Sequence, residues 1–449
     1  MARFTKALPS VLQVLLASSL LPGAGAWASV EPEDDHVAWL TTHATAIRTL
    51  DMYPNDLSDL APLKTAIGDA RVVFLGEQTH GDGACFAAKS RLIKFLHKEM
   101  GFEVLAWESG MEEMRRVDQA FAAGRPVDDA HGIGLFGIWA LSQQCRELLE
   151  YARKNRTTEH PLIMAGFDDQ VTTHPTLTPF AKELLEFFDA VDDKLLTPEQ
   201  RVTPTAAYMW LAEAGKTKMT ELPKELDTLR AMVTLIDTER PRLEAKHGKL
   251  EVAFKQRALG NLISYTERWL GGEEFNNHRD KRMADNLVWL ANEYFAGKKV
   301  IIWAASMHNS RRVQDIQWVG SAANYKDIRP MGDYAFDALG KDMYSIMFLA
   351  YQGRIGRPWS GAGPLSPAPA GSLDDLLHQT GKPYLFVDFK NQPADSWLRQ
   401  PIVARPLGYA EMEHTWPTSF DGLVFTDRMY PSTRIGVEPE DARPPIPKP

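Results

Sequence analysis

The sequence predicts an α/β fold with a central, mainly parallel sheet flanked by helices and a large helical insertion that forms a cleft. Short runs rich in Val, Ile, Leu and Phe recur along the chain, and each is followed by a longer stretch of helical periodicity. This alternation is typical of parallel strands joined by helical crossovers. The composition, with 44% hydrophobic and 24% charged residues over 449 positions, predicts a globular chain with a sizeable core.

The strands are predicted where short apolar runs are bounded by turn residues. In chain order they are Arg71–Leu75, Glu103–Trp107, Pro161–Ala165, Lys299–Trp303, Met343–Leu349, Tyr384–Val387 and Gly422–Phe425. The segment Gly353–Ser372 is rich in glycine and proline, and it predicts a long surface loop.

The helical insertion is predicted at roughly residues 179–295, between the third and fourth strands, where strand character is nearly absent. The apolar residues of its last helix are spaced by four, three and four positions: Met283, Leu287, Leu290 and Tyr294. Gly297 follows at the position of a C-terminal cap, directly before the fourth strand. We expect this helix to lead into a buried strand and the whole insertion to wall a cleft.

The first 28 residues are predicted to be a signal peptide. Arg3 and Lys6 precede the mostly apolar stretch Leu8–Leu21, and the small residues Ala26 and Ala28 have the form of a cleavage site. Cleavage after Ala28 predicts a periplasmic or secreted product with no membrane partner, and an N-terminal membrane anchor is the alternative. The predicted segments are the signal peptide 1–28, one α/β domain 29–437 and a proline-rich tail 438–449.

Charge and cysteine content narrow the class of protein. The 50 Lys+Arg stand against 59 Asp+Glu, which gives a formal net charge of -9, and no basic cluster offsets it. Nucleic acid is therefore not an expected partner. Only two cysteines occur, Cys85 and Cys145, so no disulfide framework or thiolate metal cluster is predicted. Whether these two pair depends on a geometry that the sequence does not give.

Polar segments follow the first four predicted strands. They are Gly76–Gly83, Glu108–Gly110, Gly166–Asp169 and Ala304–Asn309. Ligands of open parallel sheets bind outside the carboxyl ends of the strands. We therefore expect two glutamates, two histidines and an aspartate pair to meet at that edge of the sheet.

Glu77, His80 and Glu108 form the strongest candidate catalytic group. A histidine beside a carboxylate can be held in one tautomer and can activate water, while a second carboxylate or a cation orients the substrate. This combination is typical of a hydrolase. The alternative is that polar residues after the strands only cap the following helices. The residues placed for such caps are Asp82, Ser109, Asp168 and Asp169.

Lys89 lies on an otherwise apolar helical stripe. The members of the stripe are Phe86, Lys89, Ile93, Leu96 and Met100. A lysine in such a place either meets an anion or extends its ammonium group to solvent. Its position early in the helix makes Glu77 or Glu108 the expected anion.

Asp168, Trp303 and Arg282 are weaker candidates, which we assign to substrate binding. Arg282 shares the start of its helix with Arg279 and Asp280, so one of these could face the cleft while the others form an ion-paired turn. Trp303 belongs to a set of aromatic residues that predicts buried core or the lining of an apolar pocket. No phosphate loop, G-x-S-x-G elbow or H-E-x-x-H helix occurs in the sequence.

The strand-end motifs resemble those of the erythromycin esterase family of hydrolases. The specific part is Gly76-Glu77-x-Thr-His80-Gly, followed by a helix, by Gly101-Phe102 and by a strand that ends in Trp107-Glu108. Weaker similarities extend over about 69–353: Gly166-Phe167-Asp168, Met283-Ala284-Asp285-Asn286, Trp303-Ala304 with His308, and Met331-Gly332.

The resemblance implies a hydrolase that opens an ester, in the best-known members a macrolide lactone, with water activated by a histidine. By position His80 takes the role of general base, Glu77 and Glu108 orient it or the water, and His308 matches the second histidine of the fourth-strand motif. Two positions depart from the family pattern. Lys89 stands in place of an arginine, whose bidentate fork it lacks, and Ala305 stands in place of the motif's first histidine.

We therefore predict a carboxylic ester hydrolase that acts on a small-molecule ester or lactone. His80 deprotonates water, Glu77 and Glu108 hold the imidazole, and Lys89 with His308 stabilises the oxyanion. This scheme requires no cofactor. Glu77, His80, Glu108 and His308 could each bind a metal ion, but their spacing in the sequence does not select a particular metal. The alternatives are a metal-dependent hydrolase of another bond and an exported protein that binds haem or a metal through His80 and His308.

Overall fold

The structure is a computed structural model, and it describes residues 33–53, 55–174, 178–217, 220–221, 223–269 and 274–439. The predicted signal peptide, residues 1–28, lies outside the described residues, and so does the predicted tail from residue 440 onward. No helix in the described ranges has both the length and the apolar character that crossing a membrane requires.

Nine of the described strands form one mixed, mostly parallel sheet. The strands are β1 (Thr45–Ala46), β2 (Val72–Leu75), β3 (Phe102–Gly110), β4 (Ile163–Asp168), β5 (Lys299–Trp303), β6 (Gln317–Trp318), β7 (Met343–Ile355), β8 (Gly363–Leu365), β9 (Tyr384–Asp388), β10 (Ile402–Ala404), β11 (Met412–His414) and β12 (Gly422–Met429). The order in the sheet is β1-β9-β12-β7-β2-β5-β3-β4, with β8 paired to β7. The path from β12 to β4 is parallel throughout, whereas β1, β8 and β9 pair antiparallel. The predicted α/β class is confirmed.

The seven predicted strands all occur in the structure, and two features of the C-terminal half differ from prediction. The strand predicted at Tyr384–Val387 runs antiparallel to β12, so this part of the sheet is not built from parallel crossovers. The segment Gly353–Ser372 is only partly a loop, because β7 continues to Ile355 and β8 returns along it. Pro364 is tolerated there because β8 has a neighbour on one side only.

Helices cover both faces of the sheet. They are α1 (Glu33–His43), α2 (Ala61–Ile67), α3 (Gly83–Met100), α4 (Met111–Ala122), α5 (Ala130–Ile133), α6 (Gly137–Ala140), α7 (Gln143–Asn155), α8 (Phe180–Asp189), α9 (Pro198–Ala214), α10 (Glu225–Thr238), α11 (Arg240–His247), α12 (Lys249–Arg268), α13 (Glu274–Trp289), α14 (Ser306–Asn309), α15 (Met331–Leu339) and α16 (Leu373–Gln379). Between β4 and β5 the described residues contain helices and no strand, and α13 ends in a π-helical turn, Leu290–Tyr294. Gly297 follows with a φ of +85°, as a glycine beyond a helix end commonly does.

The sheet is buried because each face of its strands packs on a separate apolar cluster. Val73 and Leu75 join the cluster that includes α3 and α7, whereas Val72 and Phe74 join the cluster that includes α8 to α13. Successive side chains of a strand point to opposite faces, so a continuously apolar strand such as β2 fits a sheet covered on both sides. The polar residues that follow these strands therefore lie at the edge of the sheet rather than on its faces.

Candidate active site

The polar residues that follow the parallel strands meet at one edge of the sheet. The strands β2, β5, β3 and β4 are neighbours in that order. Glu77 and His80 follow β2, His308 lies in α14 after β5, and Glu108 and Asp168 lie in the last residues of β3 and β4. The topology thus brings together side chains from four distant segments, at the edge where open parallel sheets bind ligands.

The first group of these side chains, Glu77, His80 and Lys89, is called here the Glu77 cluster. The Glu77 carboxylate is fully buried, with Oε1 2.7 Å from His80 Nδ1 and Oε2 2.8 Å from Lys89 Nζ. A carboxylate at Nδ1 favours the tautomer with its hydrogen on that nitrogen, which leaves Nε2 able to accept a proton. His80 is 28% exposed, and its Nε2 has no hydrogen-bond partner in the described part of the chain.

Lys89 is enclosed beneath Glu77. Its Nζ donates to Glu77 Oε2, approaches Ala304 O at 3.5 Å and lies 4.0 Å from the centroid of the Trp303 ring. Of the two alternatives that the sequence left open for Lys89, the structure shows the buried anion and not an ammonium group in solvent. Burial would raise the pKa of Glu77, but the Lys89 ammonium and the His80 ring outweigh burial and hold that pKa below its ordinary value. Glu77 is therefore ionised at neutral pH.

Trp303 lies under the site rather than against a substrate. Its side chain is fully buried and stacks on Trp107 with ring centroids 4.4 Å apart. Trp139 packs edge-to-face on His80 at 5.7 Å and donates from Nε1 to Glu77 Oε1 at 3.3 Å. The aromatic residues thus form a rigid support that fixes the Glu77 cluster from below and from one side.

The second group, Glu108, Arg279 and His308, is called here the Glu108 cluster. Glu108 Oε1 accepts from Arg279 Nη2 at 2.9 Å and lies 3.2 Å from His308 Nε2, while Oε2 accepts from the Ala305 N–H at 3.0 Å. Burial would raise the pKa of Glu108, but His308 and Arg279 hold it well below its ordinary value. This carboxylate is a fixed anion that fastens two cationic side chains to the end of β3.

His308 lies between two carboxylates. Its Nδ1 is 2.8 Å from Asp280 Oδ1, and its Nε2 faces Glu108. Burial would lower the pKa of His308, but Asp280 and Glu108 outweigh burial and raise it to about 10. Arg279 Nη1 also lies 3.0 Å from Nε2, where its N–H could donate only to an unprotonated nitrogen. With the ring protonated, the Nε2–H points to Glu108 instead, and the two carboxylates offset the repulsion between the two cations. We infer that His308 is an imidazolium at neutral pH.

Arg279 is the functional residue that the sequence interpretation did not select. Its Nε and Nη2 bind Asp168 Oδ1 and Oδ2 at 3.2 and 2.6 Å, in a bidentate pair. Asp168, which we expected to bind substrate, therefore holds Arg279. Arg282 lies elsewhere, because its Nε donates to Asn261 Oδ1 at 2.7 Å on α12. The sequence offered one indication of this role. Arg279 lies four residues before the buried Met283, so the two side chains share one face of the helix.

The capping alternative fails for the residues that suggested it. Asp82 lies at the N-cap of α3, but its carboxylate makes no capping hydrogen bond and binds Thr79 instead. Ser109 Oγ accepts from the Phe136 N–H at 3.4 Å. Asp169 pairs with Arg268 at 2.5 Å. These side chains hold the loops around the site rather than the ends of helices.

The carboxylates of the site are paired with cationic side chains of the protein. In the described ranges there is no group of three or more His, Cys, Asp or Glu side chains that could hold a metal ion. Glu77 and Glu108 are instead paired with Lys89 and Arg279. Cys85 and Cys145 are separate, buried thiols, and burial raises the pKa of each.

Comparison with known proteins agrees with this architecture. The family model described as Erythromycin esterase matches residues 97–429. The Bacillus subtilis (strain 168) protein named "Putative hydrolase YbfO" is 29% identical over 95% of this chain and 97% of its own length. The Escherichia coli protein Erythromycin esterase type II is 24% identical over 76% of this chain and 86% of its own.

A solved structure shares the fold. It is that of a variant of the erythromycin esterase EreC in its open conformation, which has a TM-score of 0.66 and 15% sequence identity over 88% of this chain and 100% of its own. The family model covers most of the chain, including the strands and helices that carry the Glu108 cluster. The chain therefore belongs to the erythromycin esterase family and is a hydrolase of that family.

Proposed function

We propose that this protein is an exported carboxylic ester hydrolase that adds water to the carbonyl of an ester or lactone, with macrolides among the substrates to test. Family membership supports the hydrolase class, and the name of the Escherichia coli relative supports the choice of macrolides. Export rests on the predicted signal peptide, residues 1–28, and the compartment would be periplasmic or extracellular.

The observation that carries the proposal is the pair of His80 and Glu77. Glu77 holds Nδ1 at 2.7 Å, and the partly exposed ring leaves Nε2 free to accept a proton. In the proposed reaction Nε2 takes a proton from water as the water oxygen attacks the carbonyl carbon. The same proton then passes to the alkoxide when the ester bond breaks, which yields a carboxylic acid and an alcohol. Glu77 stabilises the imidazolium between these steps.

The Glu108 cluster supplies the positive charge that the intermediate requires. The attacked carbonyl oxygen becomes an oxyanion, and fixed donors aimed at it lower the barrier more than they stabilise the substrate. Arg279 and His308 place fixed positive charge at the neighbouring strand end, and His308 acts through its charge rather than as a donor because both of its ring nitrogens face carboxylates. Lys89 has a different role in this proposal, because its enclosed ammonium group keeps Glu77 ionised instead of reaching a substrate.

The test compares the mature protein with its His80→Asn variant on macrolides and simple esters, with and without a chelator. Mass spectrometry follows the gain of one water. We expect hydrolysis that the variant loses and that the chelator does not affect. Loss on chelation would instead favour the metal-dependent alternative, and full activity of His80→Asn would remove His80 from the reaction.

The binding-protein alternative has its own measurement. A haem or metal bound through His80 and His308 would give a visible absorption band or a stoichiometric metal content in the purified protein. Such a site could use His80 Nε2 with Glu77 still on Nδ1, but it would have to displace a carboxylate from His308, because Glu108 and Asp280 already face both nitrogens of that ring. A band that disappears in His80→Asn, without hydrolysis of any ester, would favour this alternative over catalysis.

A further inference from the structure

A second buried carboxylate lies in the turn that carries His80 and has no part in the mechanism above. Asp82 is fully buried, and no ion pair joins it to any cation in the described part of the chain. Its Oδ2 accepts from the Thr79 N–H at 2.7 Å, and its Oδ1 accepts from Thr79 Oγ1 at 2.6 Å. Burial raises the pKa of Asp82 to about 7, against the hydrogen bonds from Thr79. Keeping the Asp82 carboxylate ionised in the protein interior therefore costs free energy.

These hydrogen bonds close the backbone around His80. Thr79 Oγ1 also accepts from the Gly81 N–H at 3.2 Å, so Thr79, Gly81 and Asp82 are tied together on both sides of the histidine. The outer side of the turn is fixed as well, because Gly81 O accepts from Gly356 N at 3.1 Å and from Ser432 N at 3.0 Å. A Cβ on Gly81 would lie 3.0 Å from Gly356 N, closer than most Cβ contacts, so glycine favours this approach.

Tyr409 brings the C-terminal part of the chain to the same turn. Its φ is +62°, a left-handed conformation that is uncommon for a bulky residue and tends to occur at functional sites. The hydroxyl is buried beside Asp82 but reaches hydrogen-bond geometry with no atom among the described residues. The preceding residue, Gly408, donates from its N–H to Gln78 O at 3.1 Å. Tyr409 thus places a buried hydroxyl donor next to Asp82, near enough to lower the pKa of that carboxyl group.

We propose that Asp82 is a positioning residue for the general base His80, and that Tyr409 supports it by its hydroxyl group. The proposal rests on the proposed function, since it assigns His80 the role of base. Asp82 acts through Thr79 and the backbone of the turn, and does not touch the reacting atoms. The carboxylate holds the His80 ring between Glu77 and the water, and a loose turn would let the ring swing away from Glu77.

The test uses three variants that keep side-chain volume: Asp82→Asn, Thr79→Val and Tyr409→Phe. Asparagine offers one acceptor oxygen in place of two, so it cannot accept both hydrogen bonds from Thr79. We expect Asp82→Asn and Thr79→Val to lower kcat by about 10- to 100-fold with KM changed less than about threefold, and Tyr409→Phe to act in the same direction by less. Asp421→Asn is the control, because this buried carboxylate binds Arg311 and the Ser345 N–H and has no hydrogen bond to the described residues of the His80 turn.

A second measurement needs no substrate. The protein is labelled with ¹⁵N-histidine, and the ring signals of His80 are identified among the 12 histidines by their loss in His80→Asn. We expect Asp82→Asn to shift or broaden these signals and Asp421→Asn to leave them unchanged. The proposal is overturned if the His80 signals and kcat both stay at wild-type values in Asp82→Asn. If the wild type hydrolyses no ester but the signals still respond, the proposed function fails and the positioning role stands.

Discussion

The Glu77 and Glu108 clusters contain the same three kinds of side chain, a buried carboxylate, a histidine and a cation, in two different arrangements. In the Glu77 cluster the carboxylate separates the other two, with His80 on one oxygen and Lys89 on the other. In the Glu108 cluster Arg279 and His308 share one oxygen, and His308 meets a second carboxylate at Asp280. The kinds of side chain around a histidine therefore do not decide its role by themselves.

The difference shows how arrangement selects proton chemistry. A histidine with one carboxylate at Nδ1 and a free Nε2 can take up and release a proton during a reaction. A histidine between two carboxylates keeps its proton, because losing it would leave both anions without their donor. The first arrangement provides a base and the second a fixed positive charge.

Removing the Glu77 charge should have the largest effect. We expect Glu77→Gln to lower kcat by roughly a thousandfold, as loss of the orienting carboxylate does in histidine-based hydrolysis, with a smaller change in KM. The buried Lys89 also loses its anion, so the melting temperature should fall. Steady-state kinetics on the ester identified with His80→Asn provide the measurement. Glu103→Gln is the control, because Glu103 lies at the start of β3, at the end of the sheet opposite the site, and pairs there with Lys298. Activity within tenfold of wild type would contradict the role of Glu77.

Removing the Arg279 charge should lower stability as well as activity, and stability is the measurement that tests its pairing. Arg279→Met leaves Glu108 and Asp168 buried without their shared cation. We expect the free energy of unfolding to fall by about 3–5 kcal/mol, as when one partner of a buried ion pair is removed. Urea denaturation measures the loss. The double variant Arg279→Met with Asp168→Asn has one uncompensated charge fewer, so it should recover part of the stability. No recovery would mean that Arg279 is not paired as the geometry indicates.

His308 should make stability depend on alkaline pH. Its pKa is raised from 6.5 to about 10 in the folded protein, so the folded state binds this proton more tightly than the unfolded state. The stabilisation is fully present below pH 6.5 and is lost as pH rises toward about 10. We expect the free energy of unfolding to fall over this range by on the order of 3 kcal/mol more in the wild type than in His308→Gln. Urea denaturation at several pH values tests this, and parallel curves for the two proteins would contradict a charged His308.

The sequence predicts those features of the site that depend on the local pattern of apolar and polar residues. Apolar runs locate β2 to β5, and parallel strands bring the residues after them to one edge, so Glu77, His80, Glu108 and His308 could be placed together. The apolar stripe of α3 likewise singles out Lys89, although it leaves open whether the ammonium group meets an anion or solvent, and the structure shows Glu77 as its partner. These inferences need only the period of a helix or a strand and the direction of the sheet.

The rest depends on contacts between segments that no local pattern encodes. Arg279 and Arg282 are three residues apart, and which of them faces Asp168 depends on how α13 crosses the sheet. The pairing of β8 with β7 and the direction of β9 depend on edge contacts in the C-terminal half. Tyr409 reaches the turn of Asp82 from a segment without a motif, and its positive φ is visible only in the folded chain.

The smallest expected effect concerns Lys89, where the family pattern has an arginine. Lys89→Arg keeps the positive charge beside Glu77 Oε2, but a bidentate fork gains little because His80 and Trp139 already occupy Oε1. The guanidinium must also fit beneath Glu77 and against the Trp303 ring. We expect kcat/KM to change by about two- to fivefold, since charge is retained while packing is disturbed. Lys89→Met, which removes the charge, should cost far more, because Glu77 then lacks the main cation that lowers its pKa. Equal effects of the two variants would show that shape rather than charge matters at this position, and a more than tenfold gain on macrolides alone in Lys89→Arg would show that this residue selects the substrate.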